Sequence, residues 1–509
     1  MRDTDSAATS VTAQAPELRR NLNVWEAIGV SIALMAPAMA ININPQGGAS
    51  VVGRAVPLSF LLATVSALLI AHSFARLSQR FNHAGSVYGF VGATLGPRAG
   101  IFSGWLLALA YALFAVYTAI AAGRFITAEF ISLKIWPSAP DWTPFLFAFV
   151  TLAIVWFFAT RSAQGGTRFM LVVEGLTVLL ILIVAAAVLT RLLAGNAPGG
   201  QSFDLSVFTI AAGSDVPNVF LGVVFGFLSF AGFEGAATLG EETKNPRRDV
   251  PRAIIGTVIF GGLFFIMITA IEVMGFGTSE RAIKAFVNSS SLMGDLGSQY
   301  VGPWIGDLIT FGAAISAISC ALACTVGSSR LIFAVSRDGA GLRSLALISK
   351  QHQAPTRAVL ALIVSCAIFL FLGAVIFRSQ PLDVATVAGT AGTLIILVTY
   401  VMANLGALKL LFFSGQSTVS RWEIVIPVLG LIVLVYTMFR NVFPFPEGAA
   451  WWGPGIFVGL TVIVFAAVLL RGDAVRRAGL LLTEDTGLLA EGIWESDGLE
   501  RTPAPVLID

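Results

Sequence analysis

Long apolar stretches alternate with short polar breaks along most of this 509-residue chain. Crossing a hydrocarbon core takes about 20 apolar residues at 1.5 Å each. Twelve stretches meet that length, centred near residues 37, 67, 112, 151, 180, 230, 265, 318, 367, 396, 431 and 461. Polar or Gly/Pro-bearing segments such as "NPQGG", "RFNHAGS" and "TRSAQGG" read as the turns between the first six. The pattern predicts an all-α integral membrane protein with 12 transmembrane helices. An even count places both termini on one side. With the N-terminus inside, 23 of the 31 Lys and Arg fall in tails or cytoplasmic loops, which predicts both termini cytoplasmic.

Composition agrees with that reading. Hydrophobic residues make up 56% of the chain and charged residues 12%, against about 25% charged in soluble domains. Mean hydropathy is +0.84. Basic residues are scattered over short loops, so a nucleic-acid partner is not expected. Cys320, Cys324 and Cys366 sit in apolar runs with no His or acidic neighbour in sequence, and they read as small hydrophobes rather than metal ligands. The first 22 residues lack an apolar core and read as a polar tail, not a signal peptide. The C-terminal segment "LLLTEDTGLLAEGIWESDGLE" has the look of a short acidic amphipathic helix. No phosphate loop, nucleophile elbow or zinc spacing is present, so an enzyme is not expected.

Two spans carry breakers near mid-depth. The first, "VWEAIGVSIALMAPAMAININP", contains Pro37, which removes one helical hydrogen bond and clashes with the carbonyl four residues back. A break there frees the amides of Ala38 and Met39, and the carbonyls of Ala33 to Met35. The sixth span lies in "FGFLSFAGFEGAATLGEETKNPRRDVPRA", with Gly232 and Gly235 around Glu234. Glycine allows a non-helical turn and close backbone approach. In lipid, unpaired peptide groups survive only when buried in protein or facing a cavity. Either breaker alone is also compatible with a simple kink. Two of them, each opening a set of five spans, predict an inverted repeat around a shared polar site. Free amides there suit a carboxylate and free carbonyls an ammonium.

The helix-6 stretch "FLSFAGFEGAATLGEETKNPRRDVPRAI" resembles the amino acid–polyamine–organocation superfamily, the bacterial amino acid permeases in particular. "HAGSVYGFVGATLGPRAGIFSGW", "SSRLIFAVSRDGAG" with "APTRAV", and "GTAGTLIILVTYVMANLGAL" resemble further segments in the same order. The resemblance implies the leucine-transporter fold, a 5+5 inverted repeat of helices 1–5 and 6–10 with helices 11–12 added. The expected division is a tail at 1–22, repeats at 23–193 and 194–412, helices 11–12 at 413–471 and a cytoplasmic tail at 472–509. It also implies a secondary active transporter in the cell membrane, by alternating access, with no cofactor.

By the same resemblance, Met35, Ala36 and Pro37 stand where the family has a Gly-Ser-Gly triplet, followed by Ala38 and Met39. Proline donates no amide and methionine fills space, so a carboxylate contact falls to Ala36, Ala38 or Met39. On helix 6 Ser229, Phe230, Ala231 and Gly232 match the substrate-facing segment. Leu228 replaces a gating aromatic, which leaves Phe227 or Phe233 (or Phe225) for that role. Tyr111 is a candidate to offer its hydroxyl to the pocket or to pack as an ordinary aromatic.

Three acids lie inside spans. An ionised carboxylate at mid-membrane costs about 2.5–3.5 kcal/mol on insertion scales, so it is protonated, paired or hydrated. The family links the position of Glu234 to proton coupling or gating; the alternative is an acid that caps neighbouring amides. Glu174, one turn from Thr177, is the second proton candidate, with Na⁺ less favoured. Glu272, near the outer end of helix 7, is expected to reach the interface. "EETKNPRRDVPRA" is expected to form an ion-pair network at an inner gate, or else a solvated loop. No basic residue stands near the breaks to pair an acidic side chain, which disfavours aspartate and glutamate; a neutral amino acid is expected, with protons favoured as the coupling ion by the buried acids. Amino acid exchange, a cationic amino acid or polyamine substrate, and a nutrient sensor that transports little remain the alternatives.

Overall fold

Pro37 interrupts the first span one residue before itself. The computed structural model describes residues 24–81, 86–161, 164–210, 215–239, 243–337, 339–349, 354–376, 378, 380–414, 419–446, 448–472, 475 and 507–508. Within it α1 runs Val24–Met35 and α2 Pro37–Val52, with Ala36 between them in the left-handed region at φ 46° and ψ 57°. Pro37 is the first residue of α2, where its missing amide costs nothing.

The helices that follow are α3 (Val56–Arg80), α4 (Ser86–Leu95), α5 (Pro97–Ser132), α6 (Thr143–Ala159), α7 (Gln164–Leu193) and α8 (Val216–Phe230). After a second interruption come α9 (Pro246–Phe276), α10 (Glu280–Asn288), α11 (Leu292–Tyr300) and α12 (Pro303–Arg337). The last four are α13 (Thr356–Ile376), α14 (Pro381–Phe412), α15 (Val425–Val442) and α16 (Trp452–Leu470). Apart from two residues paired in parallel with two more (Ile348–Ser349 and Leu507–Ile508), the described regular structure is helical.

Each expected centre falls within one of these helices. By length and apolarity alone, ten stretches among the described residues can cross a membrane. One of them, Pro37–Arg80, joins α2 and α3 into 44 residues, and α6 is apolar but only 17 residues long. Residues 476–506 of the tail and most of "NHAGS" lie outside the described residues.

One expected turn is helix. "NPQGG" sits inside α2, with Pro45 buried in its third turn. Asn42, Asn44 and Gln46 are also buried there; Asn42 Nδ2 donates to Ala38 O within the helix, while Asn44 and Gln46 donate to Ser229 of α8 and to the carbonyl of Ser289 between α10 and α11. Tertiary contacts outweigh the local breaker signal. In "TRSAQGG" Thr160 and Arg161 leave the helix in a turn and a bend, residues 162–163 lie outside the described residues, and Gln164 opens α7.

The bundle is apolar on its outer faces as well as in its core. On α13, Leu360, Val364, Ile368, Phe371 and Val375 are all exposed at helical spacing. On α7, Val172, Leu176, Leu179 and Ile183 form a similar stripe. Such faces suit acyl chains. Inside the bundle, glycines let helices approach closely at particular crossings. A side-chain carbon on Gly262 would sit within 2.2 Å of Thr64, so α9 and α3 cross at glycine distance. Gly123 is tighter, because a Cβ there would lie 2.1 Å from the Pro144 carbonyl oxygen of α6. Backbone cannot swing aside as a side-chain tip can. Gly123→Ala is expected to destabilise by about 2–3 kcal/mol, visible as a lower melting temperature in detergent; a wild-type melt would refute the packing argument.

Candidate functional site

The two interruptions meet. α8 ends at Phe230, Gly232 takes φ 107°, and a 3-10 turn runs Phe233–Leu239. A Cβ on Gly232 would lie 3.0 Å from the Leu34 carbonyl carbon, so the broken backbones touch. Only glycine combines that φ with that approach.

The freed amides of α2 have partners inside the protein. Ala38 N donates to Glu174 Oε1 at 2.9 Å, and Met39 N to Ser316 Oγ at 3.2 Å. Glu174, on α7, is 7% exposed. The positive end of a helix therefore faces a carboxylate belonging to the chain itself. A charge-assisted bond of this kind is worth about 1.5–3 kcal/mol. On the carbonyl side, Cys320 Sγ donates to Leu34 O at 3.6 Å. Cys320 thus serves the break rather than merely filling space, which the apolar context of the cysteines did not indicate.

Glu234 is fully buried and accepts three bonds. Tyr111 OH donates to Oε1 at 3.0 Å, Tyr400 OH to Oε2 at 2.9 Å, and Gly232 N to Oε2 at 3.1 Å. The Tyr111 hydroxyl is thereby directed to this carboxylate. Tyr400 is a site residue that its motif, "LVTYVMANLGAL", contained but that periodicity alone could not single out. Phe233 is wedged between Phe74 and Tyr400, with ring centroids 5.7 Å and 5.5 Å away. Phe230 packs edge-on against Phe265 at 5.5 Å, and Phe227 is buried. Met35 points toward α9, where a Cβ on Gly261 would come 2.5 Å from its Cε. Ala36 is buried and Ala231 is partly exposed.

A second polar chain crosses the bundle on the other side of the α2 start. Asn44 Nδ2 donates to Ser229 Oγ at 2.6 Å, and Tyr117 OH donates to Asn44 Oδ1. Asn42 Oδ1 accepts from Ser291 Oγ and from Met293 N, both at 2.9 Å. Gln46 Nε2 donates to Ser289 O at 2.6 Å, while Arg124 Nη1 donates to Gln46 Oε1 at 3.0 Å and Arg124 Nη2 to Ser289 O at 2.9 Å. α2 is thus latched to α5, α8 and the α10–α11 connection by side chains that looked like a turn.

Other expectations need correction. Glu272 does not reach an interface: it is fully buried and neither carboxylate oxygen has a hydrogen-bond partner. The elements α7, α10 and α11 cover its end of α9. Thr177 does not join Glu174, since its hydroxyl donates to Val173 O at 2.8 Å and it packs where Gly312 leaves room. In "EETKNPRRDVPRA", Glu241 and Glu242 lie outside the described residues. Among the described residues Arg247, Arg248 and Arg252 make no ion pair; they line a cleft of about 450 Å³ with His72 and Arg76. Arg76 is held by Glu423 at 2.7 Å.

The sequence profile described as "amino acid permease" matches residues 26–476. The chain belongs to the amino acid permease family. This permease is 27% identical to a low-affinity putrescine importer of Escherichia coli over 327 residues, 64% of this chain and 68% of the importer. It is 27% identical to a branched-chain amino acid permease of Bacillus subtilis over 364 residues, covering 68% of this chain and 73% of that one. A mitochondrial cationic amino acid transporter of Arabidopsis thaliana is 26% identical over 355 residues, 67% of this chain and 55% of that one. The permease is a multi-pass membrane transporter of small solutes and not an enzyme.

Proposed function

We propose that this permease is a secondary active transporter of a neutral amino acid, coupled to protons and working by alternating access. Helices α1 to α16 are read as twelve crossings, with α1–α2 and α8 with its 3-10 turn as the broken pair of an inverted repeat, 23–193 against 194–412. The skew of basic residues supports cytoplasmic termini in the plasma membrane. Support for a central site comes from the two interruptions that touch at Gly232 and Leu34.

The observation that carries the coupling is the bond from Ala38 N to Glu174 Oε1 at 2.9 Å. The amide that would receive a substrate carboxylate is held by an internal one. Protonation of Glu174 weakens that bond roughly twofold, and the substrate's carboxylate takes the freed amide. Proton and zwitterion then bind together because each makes room for the other. Met39 N, now on Ser316, completes the berth. Glu234, with three donors already in place, holds the helix-6 turn rather than exchanging protons.

The same bond favours a second substrate class. If Glu174 stays ionised, it presents a negative charge at the break, and an amine without a carboxylate is the better ligand. Proteoliposomes distinguish the two. With labelled leucine, wild-type uptake is expected to rise as external pH falls, whereas Glu174→Gln binds leucine but shows a flat pH profile and no uphill accumulation. An unchanged pH profile in that variant defeats the coupling. If Glu174→Gln instead loses putrescine binding and wild type ignores leucine, the amine reading replaces the amino acid one.

A further inference from the structure

The end of the bundle that carries α10 and α11 holds a cavity of about 170 Å³, apart from the two helix breaks. Glu129, Asp295 and Asp307 line it, together with the hydroxyls of Ser291, Ser298 and Thr310. No Lys, Arg or His contributes to its wall. Asp307 accepts from Ser132 Oγ at 2.7 Å, and Asp295 from Ser289 Oγ at 2.6 Å. Glu129 is different: it is 7% exposed, and its carboxylate has no hydrogen-bond or ion-pair partner among the described residues. It lines the cavity, and the Asp307 carboxylate, also in the wall, lies near enough to repel it.

A carboxylate buried to this degree is costly unless something positive or hydrogen-donating meets it. The protein supplies a second carboxylate instead. We infer that this cavity is a cation site, and that its ligand is a primary alkylammonium group. A single metal ion fits less well, because among the described residues no three His, Cys, Asp or Glu stand close enough to share one. An ammonium carries three donors in a cone and can divide them among a buried acid, a second acid and a hydroxyl. The cavity volume admits an ammonium head with a short methylene chain, not a bulky side chain.

Placement adds a consequence. Ser291 lines the cavity and also donates to Asn42, so the site abuts the latch on α2. An amine held there waits at the rim of the path closed by that latch. That the rim is the outer one rests on the proposed orientation; the chemistry of the site does not.

The test is calorimetric titration of the purified full chain with 1,4-diaminobutane, ethylammonium and calcium chloride. Both amines are expected to bind. Glu129→Gln should weaken them about tenfold or more, since losing one charge of a buried pair costs on the order of a decade in affinity. Saturating leucine should leave this binding intact, which separates it from events at the helix breaks. Asp307→Asn, altering a half-buried side chain, should weaken binding as well and serves if Glu129→Gln fails to fold. Amine binding unchanged in either pocket variant, calcium binding without amine binding, or no binding at all would overturn the inference.

Discussion

Glu234→Ala is expected to be the most destabilising single substitution at the site. It strips the acceptor from three donors, the hydroxyls of Tyr111 and Tyr400 and the amide of Gly232. Tyr400 and Gly232 are buried and Tyr111 is partly so, and a stranded buried donor costs about 1–3 kcal/mol. Partial relaxation leaves an expected loss of about 3–6 kcal/mol. Glu234→Gln is the informative contrast. Its amide oxygen keeps one acceptor, and the hydroxyl on the other side can rotate to accept from the new NH₂. Thermal melting in detergent should therefore rank wild type above the Gln variant and the Gln variant well above Ala. Tyr400→Phe removes one bond and should fall near the Gln variant. An Ala variant that melts with wild type would show that the carboxylate is not the hub that ties α5, α14 and the helix-6 turn together.

How much of this was legible beforehand varies with the range of the interaction. The interruptions were readable because proline and glycine act through their own backbone. Pro37 located the first to within one residue, and the second fell at Ala231 and Gly232. The apolar spans were readable for the same reason, since the length of an apolar run is local. The partners of the break were not. Glu174 lies 136 residues from Ala38 and Ser316 lies 277 from Met39. Nothing in either segment's own pattern announces the pairing. "NPQGG" failed in the opposite direction. Its proline and glycines read correctly as breakers in isolation, but Asn42, Asn44 and Gln46 find donors and acceptors on four other elements, and those bonds hold the segment helical. Glu272 failed because position along a helix does not tell which elements cover its end.

The substitution most damaging to transport is expected to be Gly232→Ala. Two independent penalties fall on one methyl group. At φ 107° an L side chain is strained, at about 1–3 kcal/mol. The new carbon would also stand 3.0 Å from the carbonyl carbon and 3.1 Å from the carbonyl oxygen of Leu34. These are backbone atoms at the helix-1 break, so relief requires the two interruptions to part. Parting them moves Leu34 away from Cys320 and disturbs the short reach from Ala38 to Glu174. Gly235→Ala provides the control. Its Cβ would meet Leu34 Cδ1 at 2.3 Å, a side-chain tip that can rotate, and Gly235 is not among the positive-φ residues. In proteoliposomes matched for protein content, Gly232→Ala is expected to lose tenfold or more of initial uptake, while Gly235→Ala loses severalfold less. If the two variants transported alike, the contact between the breaks would be incidental packing, and a substrate berth built from their freed peptide groups would lose its geometric basis.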